Sequence, residues 1–184
     1  MRRLFPGGSL IDLWSADLKA KKIYTVTAII LLIGLYIVIF SFSAEDGEQS
    51  SAVSARVTEA LVRGYFGLIG KDKGSIAEMV LLLEGIVRKA AHFLEYMCMG
   101  FLSYSVLHLW RGTSKKGILA VLLQVFVSAA LDEFHQYFIP GRCASFKDVL
   151  IDTAGGIAGI LVILLWNRLF GKSPFPSREA GHCK

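Results

Sequence analysis

"IYTVTAIILLIGLYIVIF", residues 23–40, contains no charged side chain. With Ser41 and Phe42 the run reaches about 20 residues, the length that crosses about 30 Å of hydrocarbon at about 1.5 Å per residue. A helix this apolar has no face to offer water, so the stretch reads as a membrane span. The rest of the chain agrees. Of its 184 residues, 54% are hydrophobic and 19% charged, and the mean hydropathy is +0.54, too apolar for an ordinary soluble domain of this size. Lys89 to Trp110, Gly117 to Tyr137 and Phe146 to Phe170 also have span length. The expected fold is therefore all-α: a polytopic membrane helix bundle of four transmembrane helices plus amphipathic extracytoplasmic helices. Residues 1–22 form a cytoplasmic segment, 23–170 the membrane domain and 171–184 a disordered cytoplasmic tail.

Ser41-Phe42-Ser43 offers small residues two apart after the apolar run, as a signal-peptide cleavage site would. The run exceeds a signal peptide's apolar region and begins late, which favours a retained anchor. A net charge of +5 would invite a nucleic-acid reading in a soluble chain, but here the cations sort by topology. Arg2, Arg3, Lys19, Lys21, Lys22, Arg111, Lys115, Lys116, Arg168, Lys172, Arg178 and Lys184 fall on one side, with only Asp12, Asp17 and Glu179 as acidic company. That bias places both termini in the cytoplasm of a cell-membrane protein. No nucleic acid is expected as a partner. Cys98, Cys143 and Cys183 then occupy three different environments, so no intramolecular disulfide is expected.

Between the first two spans, Val53, Val57 and Leu61 recur every four residues, the pattern of an amphipathic helix on the outer surface or capping the bundle. "KDKG" at 71–74 is a break, Ser75 with Glu78 forms a capping box, and Gly85 allows a bend before the second span. Short "RGTSKK" and "IPGRCAS" connections make spans two to four antiparallel neighbours.

Three polar faces converge near the outer end. On the second span Arg88, His92, Glu95 and Tyr96 share a sector of about 100°. On the third, Asp132, His135 and Gln136 share a face with Glu133 at its edge. On the fourth, Ser145, Asp148 and Asp152 continue into Gly155, Gly156 and Gly159, small residues that permit close helix contact. Each group has a bland reading. A lone Asp148 caps a helix, Lys89 and Lys147 snorkel, Cys143 is an incidental loop residue, and a His–Glu pair glues helices. Ionised groups within spans cost about 2.5–3.5 kcal/mol each on insertion scales, so a cluster of them points to function.

"RKAAHFLEYMCMG" (88–100) and "DEFHQYFIPGRCASFKDVLIDTAGGIAG" (132–159) resemble the VanZ-like family of bacterial membrane proteins. "FSFSAEDGEQSSAVS" after the first anchor resembles it more weakly. The resemblance covers most of residues 24–165 and carries over Lys89, His92, Glu95, Tyr96, Asp132, Glu133, His135, Gln136, Arg142, Ser145, Asp148 and Asp152. It implies an envelope protein associated in some members with resistance to teicoplanin and related glycopeptides.

Three functions fit these residues. An intramembrane hydrolase or transferase would use Glu95 with Asp132 or Glu133 as acid and base, His92 or His135 as proton carriers, and Arg142 and Arg88 to hold an anionic headgroup. Lys89, Tyr96, Gln136, Ser145, Asp148 and Asp152 would complete the substrate site. Its substrate would be a membrane lipid or lipid-linked glycan, cleaved at a glycosidic or phosphoester bond. No cofactor is expected, although two histidines with several carboxylates allow a divalent metal. A non-catalytic binder of a cell-wall precursor or lipoglycopeptide antibiotic needs the same pocket without proton transfer. A small transporter needs a polar path through the inner halves, where the spans offer little. The oligomeric state is open. If the topology is as drawn, an impermeant thiol reagent added outside intact cells labels Cys143 and leaves Cys183 unlabelled; the reverse pattern would move the site to the cytoplasmic leaflet.

Overall fold

The computed structural model describes residues 10–69 and 76–170, which form five helices: α1 (Leu10–Ser43), α2 (Gly47–Ile69), α3 (Ile76–Arg111), α4 (Lys115–Gln136) and α5 (Phe146–Phe170). The expected break at 71–74, the Ser75 cap and the C-terminal tail lie outside the described residues. α1 begins well ahead of Ile23, because residues 10–22 contain neither proline nor glycine to stop it. Asp17 and Lys21, both half-buried, pair along it at 3.0 Å.

Among the described residues three helices, not the four expected, are long and apolar enough to cross a membrane: Ser15–Ser43, Lys115–Gln136 and Phe146–Phe170. The remaining expected span lies inside α3. This helix has 36 residues, runs through Gly85 without interruption and is about 54 Å long. Its length suffices, but Arg88, Lys89, His92, Glu95 and a series of Tyr, Ser and His residues dilute its apolarity. The packing explains that composition. α3 is the central helix, touching α1, α2, α4 and α5, and it packs most extensively against α5.

Glycine sets the α3–α5 contact. A Cβ at Gly155 would run into the Phe93 carbonyl, one at Gly159 into the Met97 carbonyl, and one at Gly100 into the backbone of Gly156. The two backbones therefore touch directly, as small residues permit in membrane helix pairs. Around this seam Tyr96, Met99 and Tyr104 of α3 are fully buried against Val121, Val125 and Ala129 of α4 and Ile160 and Ile163 of α5.

α2 packs on α3 alone among the principal contacts, and it does so in an inverted sense. Ser50, Ser54, Thr58 and Val62 are buried, whereas Val53, Val57 and Leu61 are exposed. The buried hydroxyls of Ser54 and Thr58 donate to carbonyls one turn back, at 3.0 and 2.7 Å, so they ask nothing of α3 and serve as small contact residues. The apolar stripe seen in the sequence thus faces away from the protein.

α1 is the most peripheral of the long helices, and polar rungs tie it on. Tyr24 donates to Ser105 at 2.8 Å, Trp110 to Thr25 at 2.8 Å, and Gln124 joins Ser103 at 3.0 Å to Tyr36 at 3.2 Å. At about 0.6 kcal/mol for an average interhelical hydrogen bond in a membrane, these rungs fix register more than they supply stability.

The seam predicts a sharp contrast between two glycines. Gly159→Ala forces the α3–α5 backbones apart, at a cost of about 1–3 kcal/mol, and lowers the melting temperature followed by circular dichroism in detergent. Gly34→Ala, on α1 with open space around it, melts at or above the wild-type temperature. Equal melting of the two would contradict a seam in contact.

Candidate functional site

At the end of the bundle where α1 and α4 finish and α5 starts, a cavity of about 370 Å³ opens. Arg88, Lys89 and His92 of α3 form one wall, Glu133 and Gln136 of α4 a second, and Asp148, Ile151 and Asp152 of α5 a third. Gly141, Arg142, Cys143 and Ser145 close it from the α4–α5 connection.

That connection is a type II turn. Pro140 and Gly141 are its central residues, Gly141 has φ +73°, and the Arg142 N–H donates to the Ile139 carbonyl at 3.2 Å. The positive φ requires glycine. The turn meets the start of α2 at close range: Gly47 N–H donates to the Pro140 carbonyl at 3.0 Å, and a Cβ on Gly47 would collide with Gly141.

Arg142, expected to hold an anionic group, also serves the main chain. Its Nε donates to the Glu45 carbonyl at 3.1 Å and its Nη2 to the Phe42 carbonyl at 2.6 Å. It caps the C-terminus of α1, where carbonyls lack helical partners, and it lines the cavity as well. Burial and the nearby Arg88 pull its pKa below the ordinary arginine value.

The two adjacent acidic residues of α4 divide their labour. Glu133 Oε2 accepts from the Ser145 N–H at 2.7 Å, and the Ser145 carbonyl in turn accepts from Asp148 N–H at 2.9 Å, so Glu133 anchors the first turn of α5. Asp132 turns inward. Its Oδ2 accepts from Gln136 Nε2 at 3.0 Å, and oxygens of Asp132 and Asp152 lie with a ring nitrogen of His92 within 4.8 Å of one another. These three, one from each wall helix, are a donor set that can hold a cation. Glu95 Oε2 stands 3.3 Å from His92 Nδ1.

The other expected site residues have more local tasks. Lys89 pairs with Asp148, and Arg88 donates to Ser51 of α2 at 3.3 Å. Glu95 borders an adjoining groove with Phe42, Glu45 and Ser50. Tyr96 is fully buried and lines a groove on the α1 side of α4 together with His135. His135 stacks on Phe40 with ring centroids 4.9 Å apart, outside the main cavity. Cys98 and Cys143 are free thiols. The sequence reading missed Glu45, Gly47 and Ser51. Their signal was the stretch "FSFSAEDGEQSSAVS" after the first anchor, whose weaker resemblance to the family carried over no individual residue.

A family model, VanZ/LLP1, matches residues 28–167. No curated protein and no solved structure gives a match.

Replacing Arg142 by Gln removes a charged donor from two α1-terminal carbonyls and lowers the unfolding free energy by about 1.5–3 kcal/mol, read from denaturation in detergent. Cys143→Ser, next in sequence but exposed, leaves stability unchanged. An Arg142→Gln protein as stable as wild type would return the side chain to a purely ligand-facing role.

Proposed function

The chain belongs to the VanZ-like family and is a membrane protein, and on that premise we propose that it is an intramembrane hydrolase acting on a lipid-linked envelope substrate. α3 crosses the bilayer as a fourth span beside the three apolar helices, with both termini in the cytoplasm. The cavity then opens in the outer leaflet, at the depth of lipid headgroups, and the exposed apolar stripe of α2 rests against the lipid.

One observation carries this reading: the His92, Asp132 and Asp152 side chains meet where three helices join, His92 and Asp152 lining the cavity and Asp132 lining the adjoining groove on the α1 side. Buried carboxylates beside an imidazole are the equipment of acid–base chemistry, because each can exchange a proton with a bound group under low dielectric. A cavity of about 370 Å³ is of headgroup size, within the usual range of ligand sites. Arg88 and the free edge of Arg142 supply cationic donors for an anionic group. An association with teicoplanin-type resistance would follow from alteration of the envelope lipid or precursor that the antibiotic meets.

The commitment of Arg142 and Glu133 to the loops favours a second reading, a non-catalytic binder of a cell-wall precursor or lipoglycopeptide, since it leaves fewer residues for chemistry. The variants separate the two. In vesicles containing a lipid-linked phosphate or glycan substrate, Asp152→Asn and His92→Gln reduce turnover by about 100-fold or more. Glu133→Gln stays within a few-fold, because its amide oxygen still accepts the Ser145 N–H. Binding retained by all proteins with no turnover even in wild type establishes the binder. Full turnover in both Asp152→Asn and His92→Gln removes the hydrolase.

A further inference from the structure

Asp152 is 3% exposed and borders the cavity, yet none of the hydrogen bonds or ion pairs among the described residues reaches its carboxylate. A buried carboxylate left this way is costly, and such groups are ordinarily paired or coordinated to a cation. The other members of its cluster are held in place for a ligand. Asp132 has one oxygen engaged by Gln136 Nε2, which orients the carboxylate, and the buried Ser43 side chain of α1 lies beside it. His92 Nδ1 stands 3.3 Å from Glu95 Oε2, and His92 itself lines the cavity. A carboxamide fixing one ligand and a carboxylate behind an imidazole are the outer partners that metal ligands commonly have.

From this arrangement we propose that His92, Asp132 and Asp152 form a binding site for a divalent transition-metal ion, contributed by α3, α4 and α5 in turn. Two carboxylates and one imidazole, with no thiolate, suit manganese, iron or zinc rather than a soft ion such as copper(I). Three protein ligands leave positions open toward the cavity, the feature that separates a metal site able to take an exogenous ligand from a purely structural one. Arg88 and Arg142 line the same cavity as His92 and Asp152. A divalent cation beside guanidinium donors selects a group rich in hard anionic oxygens, so the headgroup is a phosphate or pyrophosphate ester rather than a neutral sugar. That last step rests on the reading of the cavity as the substrate site; the metal site itself does not. The ion also links three helices, so it stabilises the fold as it binds.

The test uses the full chain, purified in detergent, stripped with a chelator and titrated with Mn²⁺ and Zn²⁺. Saturable uptake of about one equivalent, with a raised melting temperature, is expected. Gln136→Ala weakens uptake by about 10- to 100-fold, Asp152→Asn weakens it more, and Glu59→Gln on the outer side of α2 leaves it unchanged. Electron spin-echo spectroscopy of the Mn²⁺-loaded wild type requires no variant to fold, and it should detect a single coordinated imidazole nitrogen. Absence of saturable uptake, absence of that nitrogen, or equal uptake by Asp152→Asn overturns the site. A protein that binds the ion but cleaves no lipid-linked phosphate keeps the metal site and loses the hydrolase. One that hydrolyses fully after stripping keeps the hydrolase and loses the metal.

Discussion

The backbone-to-backbone contact of α3 with α5 is the constraint on which the site depends. Gly155 and Gly159 lie against the Phe93 and Met97 carbonyls, and Gly100 lies against Gly156. This seam begins one turn beyond Asp152 on α5 and beside His92 on α3, so it fixes how near those two side chains can stand. Were the helices separated by ordinary side chains, the axes would move apart by a few ångströms and the three donors would no longer share a cluster. Because lipid offers no hydrophobic drive between helices, contact of this kind, together with the polar rungs, is what membrane packing has to work with.

A second constraint acts at the loops. The α4–α5 turn and the α1–α2 junction are clamped by Arg142 on the Phe42 and Glu45 carbonyls and by Gly47 N–H on Pro140. Glu133 ties the same turn to the start of α5. Seven or more polar groups that look alike in sequence thus fall into two kinds: those that hold the roof of the cavity and those that face its interior. The inner group is small: His92, Gln136 and Asp152 line the cavity, and Asp132 and Glu95 line the adjoining grooves.

Much of this was legible beforehand, and for physical reasons. Helical period and the depth of each polar face put His92, Asp132 and Asp152 at one end of the bundle, and the glycine line on α5 announced a close crossing. The limits are equally specific. Asp132 and Glu133 are adjacent, and no periodicity says which of them meets a backbone N–H and which meets the cluster. Arg142 reads as an anion binder because its acceptors are main-chain carbonyls, which carry no residue code. His135 shares a face with Asp132 by spacing, but the angular spread of that face lets one side chain enter the cluster and the other stack on Phe40 of α1. α2 shows its amphipathic period plainly, yet the period does not tell which face meets protein, and the buried face is that of Ser50, Ser54 and Thr58.

On the proposed function, the cluster at the α3–α4–α5 junction receives the phosphate-bearing headgroup of a membrane lipid. Native mass spectrometry of the protein released gently from its membrane tests it most directly. The account predicts that wild type retains a phosphate-bearing lipid and that Ser145→Trp, which fills the cavity from the loop side, loses it while keeping wild-type helicity. Equal retention of the same lipid by the filled variant, or no phosphate-bearing lipid on wild type, would contradict the account.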